Sequence, residues 1–409
     1  MRVLVVDEAL PFPPDSGKRL RTYNLIKRLC VRHEVTYLAR GGTEELPGCP
    51  GVEVVLVDEA VTAQRGLRFY AELLANVASG LPYVVTRHAS PAFRQAVDRA
   101  VSTHGFDLIH CEWTPYAQNL LHLAGRVPML LMTHNVESMI WARYFATAVN
   151  LFKKAYIGLQ WRKMERFEAS ACQLFDEVCC VSGEDAAVMR EHFACPHVSV
   201  VPNGVDTQYF APMDVPAAPA SMVFTGSMDW RPNQDGIGWF VDAILPRIRQ
   251  QMPQAGLDIV GRNPPAALAR QWAAPGGVRV SGTVPDVRPA IAGSGLYVVP
   301  LRVGGGSRLK ILEALAMGKP VLSTTLGAEG LHLEADKHLV LRDDPDSFAR
   351  QAAAMLSEPE RYAAMARNGR DRVLEEYGWD GIADTLEEAW LRAIGNFQGT
   401  AQEARHAQG

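Results

Sequence analysis

The residues from Val299 to Val321 run from an apolar strand through Gly304-Gly305-Gly306-Ser307 into a helical pattern. Arg308, Lys310 and Glu313 fall within its first turns. A helix beginning near Ser307 presents unbonded amides and the positive end of its dipole, an arrangement that binds anions. Three glycines let the backbone approach a phosphate closely. Arg308 and Lys310 add positive charge where a diphosphate needs it. Two cations just inside a helix start oppose its dipole, which argues for an anionic ligand. Glu313, one and a half turns on, is placed to accept hydrogen bonds from a ribose, as acidic residues do in nucleotide folds. The plainer alternative is a βα turn with surface charges.

Three other places carry chemistry. Pro13-Pro14-Asp15-Ser16-Gly17-Lys18-Arg19 is a second glycine loop between a strand and a helix, with Lys18 and Arg19 available for donor or acceptor charge. Thr133-His134-Asn135 ends an apolar strand, and strand ends are where parallel α/β sheets bind ligands. His110, Glu112 and Trp113 end a neighbouring strand and are expected to face an acceptor. No convincing pair of carboxylates suggests a glycosidase. No Asp-x-Asp motif stands at a strand end of the second half, so no catalytic metal and no cofactor is expected.

These residues need strands and helices to hold them. Val3–Val6, Val35–Ala39, Val52–Val57, Leu108–His110, Met129–Thr133 and Val178–Val181 read as buried strands with helices between, the first helix over Arg19–His33. Val198–Val201 leads into the turn cluster Pro202–Asp206 and a Pro/Ala-rich stretch, Ala211–Ala220. A second series follows: Met222–Thr225, Leu257–Val260, Val278–Ser281, Leu296–Val299, Pro320–Ser323 and His338–Leu341. The expectation is an α/β protein of two doubly wound, Rossmann-like halves facing across a cleft. The segment Met139–Gln173 interleaves aromatics with Arg and Lys. It reads either as an interfacial helix or as a helix packed on its own domain.

The chain has 409 residues, ample for two or three domains, and a net charge of −4, which gives no electrostatic support to a nucleic-acid partner. Seven cysteines without a Cys-x-x-Cys pattern read as reduced thiols. The apolar start is too short for a signal-peptide core and no run is long enough to span a bilayer. A cytoplasmic location follows, with peripheral contact at the inner face of a membrane left open.

Taken together, these motifs resemble the retaining GT-B glycosyltransferases of family 4. Phe224–Asn233 resembles the strand and loop opening that family's C-terminal domain. Ile259–Arg262, Gly282–Val287 and the hinge Val201–Asp206 resemble further landmarks. Among family members, the chain resembles the bacterial exopolysaccharide sugar transferases, a group that includes the branch linked to the PEP-CTERM/exosortase system. The resemblance implies an N-terminal acceptor-side domain over 1–203, joined by a helix over 380–395 that packs back on it. It implies a donor-binding domain over 204–379 and leaves a flexible tail at 396–409. Gly17, Gly226, Ser227, Arg262, Val284, Gly305, Gly306, Ser307 and Glu313 would bind a UDP- or GDP-sugar. His134, Arg308 and Lys310 would serve the reaction centre, while Lys18, Arg19, His110, Glu112 and Trp113 would meet a glycan, lipid-linked or small-molecule acceptor. The implied reaction is same-face attack on an oxocarbenium-like sugar, with the leaving diphosphate stabilised electrostatically. Two departures stand out. Gly305 occupies the place of a Glu common in the family, and Ser227 and Asn233 stand where an Arg and a Lys are usual. Two alternatives remain open: a nucleotide-sugar-binding subunit without catalysis, and a sugar-nucleotide epimerase on the same fold.

Overall fold

The computed structural model describes residues 1–14, 16–59, 66–148, 150–303 and 308–406. The chain divides into two compact units, Met1–Pro202 with Ile382–Gly409, and Asn203–Gly381.

The first unit is built on seven parallel strands: β1 (Arg2–Val6), β2 (Glu34–Arg40), β3 (Glu53–Val57), β4 (Leu108–Cys111), β5 (Met129–Met132), β6 (Glu177–Cys180) and β7 (Val198–Val200). Their order is β3-β2-β1-β4-β5-β6-β7. Helices cover both faces of such a sheet, so its central strands are apolar on both sides. Val3 to Val6 and Met129 to Met132 are accordingly buried throughout. The order reverses between β1 and β4, and a crevice opens at the carboxyl ends of strands where this happens.

The second unit repeats the plan with β8 (Ser221–Thr225), β9 (Gly256–Val260), β10 (Val278–Gly282), β11 (Leu296–Val299), β12 (Val321–Ser323) and β13 (Val340–Leu341). The order β10-β9-β8-β11-β12-β13 reverses between β8 and β11.

The terminal helix, Trp379–His406, belongs to the first unit from Ile382 onward. Ile382, Leu386, Ala389, Trp390 and Ala393 form one buried stripe at helical spacing. Trp390 meets the His33 ring edge-on at 5.5 Å, and Arg32 bridges to Asp384 and Glu387 at 2.8 Å each. The flexible tail expected from Asn396 is instead helical to His406. Asn396 donates to the Asp176 carbonyl at 2.9 Å, and the Ala, Gln, Glu and Arg residues that follow favour helix.

The segment expected to be one long helix is two, Glu137–Thr147 and Leu151–Leu174. Asn150 caps the second by accepting from the Lys153 amide at 3.0 Å. The buried Glu168 carboxylate caps the first, accepting from the amides of Glu137 and Ser138 at 2.7 and 3.0 Å. Its aromatics divide as well. Phe145 and Trp161 pack ring on ring at 5.7 Å, whereas Tyr144 and Phe152 are exposed. No helix among the described residues is long and apolar enough to cross a membrane.

Candidate functional site

In the second unit, chemistry gathers where β8 and β9 end. Gly226 follows β8 at φ +154°, and a Cβ there would lie 2.9 Å from both Asn233 Nδ2 and Lys310 Nζ. The glycine therefore makes the room the lysine occupies. Lys310 Nζ donates to Asn233 Oδ1 at 2.8 Å and stands 4.2 Å from the centre of the Phe224 ring. Burial pulls the Lys310 ammonium down to about 7, opposed by Glu313 and reinforced by Arg308. Burial pushes the Glu313 carboxyl up to about 7, opposed by Lys310. Beside them the Tyr297 and Thr225 hydroxyls share a 2.5 Å hydrogen bond.

Next to this cluster, Ser227 Oγ accepts from Arg262 Nε at 2.6 Å and donates to Asp229 Oδ1 at 2.7 Å. The loops carrying Ser227 and Arg262 touch backbone to backbone: a Cβ on Gly261 would sit 1.7 Å from the Gly226 carbonyl oxygen. Val284 packs, half-buried, against the apolar cluster that includes Val299 and Leu312.

The helix carrying Lys310 is described from Leu309, with Arg308 before it in the left-handed conformation at φ +49°. Gly305, Gly306 and Ser307 lie outside the described residues, as does any helix start at Ser307. The two cations, whose place at a helix start argued for an anionic ligand, also have partners within the unit. Arg308 is buried with a guanidinium nitrogen 3.4 Å from Glu329, and Lys310 has Asn233 and Phe224. The structure thus supplies Lys310 at the very asparagine that stands in the place of a family lysine.

In the first unit, Gly17 opens the helix Gly17–Leu29, capped by Ser16 Oγ accepting from the Arg19 amide at 3.4 Å. Lys18 turns inward. Its Nζ donates to Asp7 Oδ1 at 2.5 Å and to Glu8 Oε1 at 3.0 Å, and it stands 5.1 Å from the centre of the Trp113 ring. Burial lowers its basicity, but the Asp7 and Glu8 carboxylates outweigh that and hold it above its ordinary value. Its charge is therefore engaged within the unit, contrary to the expectation that it meets a donor or acceptor.

His134 follows β5 with its side chain 11 % exposed. Its Nε2 donates to the Glu112 carbonyl oxygen at 2.9 Å and lies 3.3 Å from Glu112 Oε1. His110 Nε2 lies 2.7 Å from the other carboxylate oxygen, and Thr22 Oγ1 donates to Oε1 at 2.5 Å. Burial pushes the Glu112 carboxyl up, but the neighbouring imidazoles of His110 and then His134 outweigh it and hold Glu112 well below its usual range. His110 and Glu112 are each 1 % exposed, which corrects their expected place facing an acceptor: both are consumed by buried partners. Trp113 is half-buried and donates to Glu137 Oε1 at 3.0 Å.

Sequence reasoning passed over Asp7, Thr22 and Trp390. Asp7 carried a usable signal, a charged residue directly after a wholly apolar strand at the switch point. The other two carried none, because their partners lie far along the chain.

Two family models match the chain: Glycosyltransferase Family 4 over residues 17–209 and Glycosyl transferases group 1 over residues 219–358. A GDP-mannose-dependent alpha-(1-6)-phosphatidylinositol monomannoside mannosyltransferase of Mycobacterium tuberculosis is 30% identical over 211 residues, 46% of this chain and 54% of the relative. The match thus spans about half the length of that curated relative. Among solved structures, sucrose-phosphate synthase from Thermosynechococcus elongatus superposes with a TM-score of 0.72 at 17% identity, covering 97% of this chain and 99% of that one. Anabaena HepE in complex with UDP and glucose superposes with a TM-score of 0.63 at 14% identity, covering 95% and 98%. This chain therefore has the GT-B fold, with a first half that matches glycosyltransferase family 4 and a second half that matches glycosyl transferases group 1.

Proposed function

We propose that this protein is a retaining glycosyltransferase that moves a sugar from a UDP- or GDP-sugar to an acceptor hydroxyl, in bacterial exopolysaccharide or glycoconjugate synthesis. The observation that carries this reading is the Gly226–Asn233–Lys310 cradle at the strand-order reversal of the second unit. A glycine that admits close approach, a buried cation and Glu313 suit a diphosphate joined to a ribose. Lys310 and Arg308 neutralise the leaving diphosphate. Ser227 and Arg262 line the same loops, Val284 flanks them, and Glu313 accepts from the ribose.

In the first unit the resemblance assigns His134 to the transferred sugar and Gly17 to the donor. The work asked of the protein is positioning and charge stabilisation, without a cofactor or metal. Transfer should then persist in excess chelator. The donor nucleotide is left between two kinds by the relatives: the mycobacterial protein is named for GDP-mannose, and HepE was solved with UDP and glucose.

Thermal unfolding with a panel of UDP- and GDP-sugars tests the reading. A ligand that binds only the folded state raises the midpoint with concentration. One sugar nucleotide should raise it more than the matching free nucleotide, and no response to any of them contradicts the proposal.

A further inference from the structure

The hydrogen bonds around Glu112 decide where the protons sit on two histidines. An indole N–H only donates. Trp390 Nε1 lies 3.1 Å from His110 Nδ1, so that nitrogen accepts and the His110 proton sits on Nε2, the nitrogen in 2.7 Å contact with Glu112 Oε2. Glu112 Oε1 already takes the Thr22 hydroxyl at 2.5 Å. His134 Nε2 meets only acceptors, the Glu112 carbonyl at 2.9 Å and the carboxylate at 3.3 Å, so it too carries its proton on Nε2. In its neutral form the His134 ring therefore has its lone pair on Nδ1, which has no partner among the described residues.

We propose that Glu112 is a positioning residue, locked by Thr22 and by the Trp390–His110 pair, that holds His134 in its Nε2–H form with Nδ1 ready to accept a hydrogen bond from a substrate hydroxyl. The arrangement resembles the general device in which a carboxylate fixes the tautomer and the tilt of a working imidazole. Here the far end of the chain takes part. Trp390 lies 280 residues from His110, on the terminal helix, so that helix reaches the candidate sugar-binding histidine through two buried side chains. Trp390, His110 and Glu112 are each no more than 1 % exposed, which keeps water from competing for these bonds. The assignment of a sugar hydroxyl as the partner of Nδ1 rests on the glycosyltransferase reading; the tautomer does not.

The test is ring-nitrogen NMR on the full-length protein labelled at histidine, with the His134 signal identified by its loss in His134→Ala. At a pH where the His134 ring is neutral, the wild type should show the Nε2–H form. Glu112→Gln keeps the main-chain carbonyl but can turn an amide N–H toward His134, and Trp390→Phe frees His110; each should raise the share of the other tautomer, with far-ultraviolet circular dichroism unchanged. Trp390→Phe removes the indole N–H and keeps an aromatic ring in the core, so it reads the hydrogen bond even where Glu112→Gln folds poorly. With a donor in hand, both variants should lower kcat by roughly tenfold to a hundredfold while KM for the sugar nucleotide holds. A wild-type Nδ1–H form, or a tautomer unmoved in both variants, overturns the inference. An altered tautomer in a protein that transfers no sugar upholds the positioning role and removes the glycosyltransferase reading alone.

Discussion

Lys310 is a buried cation held by an amide oxygen and a ring face, with no carboxylate in ion-pair range among the described residues. Such a group is costly unless a ligand supplies the missing charge. Lys310→Met keeps the length of the side chain and removes the charge. It should weaken sugar-nucleotide binding at least about tenfold, from about 1.5–3 kcal/mol for a hydrogen bond to a charged group. Calorimetric titration reads this directly, and unchanged affinity in a folded variant would sink the assignment. A pH dependence follows from the same residue. Burial brings the ammonium to about 7, so it loses its proton as pH rises through that point. Binding a diphosphate favours the charged form, so donor affinity should fall above about pH 7, by at most about tenfold per unit. Glu313, also near 7, ionises in the same window and makes the cluster still less positive. The diphosphate diester of a sugar nucleotide keeps its charge across this range. The slope should be shallower in Lys310→Met, where only Glu313 still titrates, and a flat profile in the wild type would contradict the account.

At the scale of elements, what was legible in the sequence depended on distance along the chain. The parallel strands announced themselves because burial on both faces gives short continuous apolar runs, as in Val3–Val6 or Leu296–Val299. The break before Asn150 was missed because an aromatic and basic pattern continues across it, and the Asn150 side chain that caps the second helix is a weak local mark. The partnership of Lys310 with Asn233 joins residues 77 apart and no local pattern reports it. The resemblance did mark Asn233 as a departure, and the structure sets Lys310 Nζ against it. One loop contact makes a stability prediction. Gly261→Ala would put a methyl group 1.7 Å from the Gly226 carbonyl oxygen, a backbone atom that cannot swing away. Overpacking of this kind costs about 1–3 kcal/mol or more. Denaturant unfolding should show that loss together with weaker sugar-nucleotide binding, because the same shift displaces Gly226 from Lys310. Wild-type stability in this variant would mean that the loops lie farther apart than described.

On the scale of the whole molecule, the chain leaves the first unit after Pro202 and returns to it at Ile382. The returning helix buries Trp390 completely, against His33 and His110. Trp390→Ala should cost about 3–5 kcal/mol, typical of a large aromatic truncated in a core, and should lower the unfolding midpoint. An unchanged midpoint would show that the terminal helix is dispensable to the first unit. The central claim is that a sugar nucleotide is consumed, with its sugar moved at His134. The most direct measurement follows labelled sugar from UDP- and GDP-sugars in the wild type and in His134→Ala, with calorimetric binding of free UDP and GDP alongside. The account predicts that label leaves one of these donors in the wild type. It predicts that His134→Ala lowers this rate by roughly a hundredfold, as misplaced reacting groups do, while nucleotide affinity is kept. Binding without release from any donor, or loss of nucleotide affinity in step with activity, would contradict it.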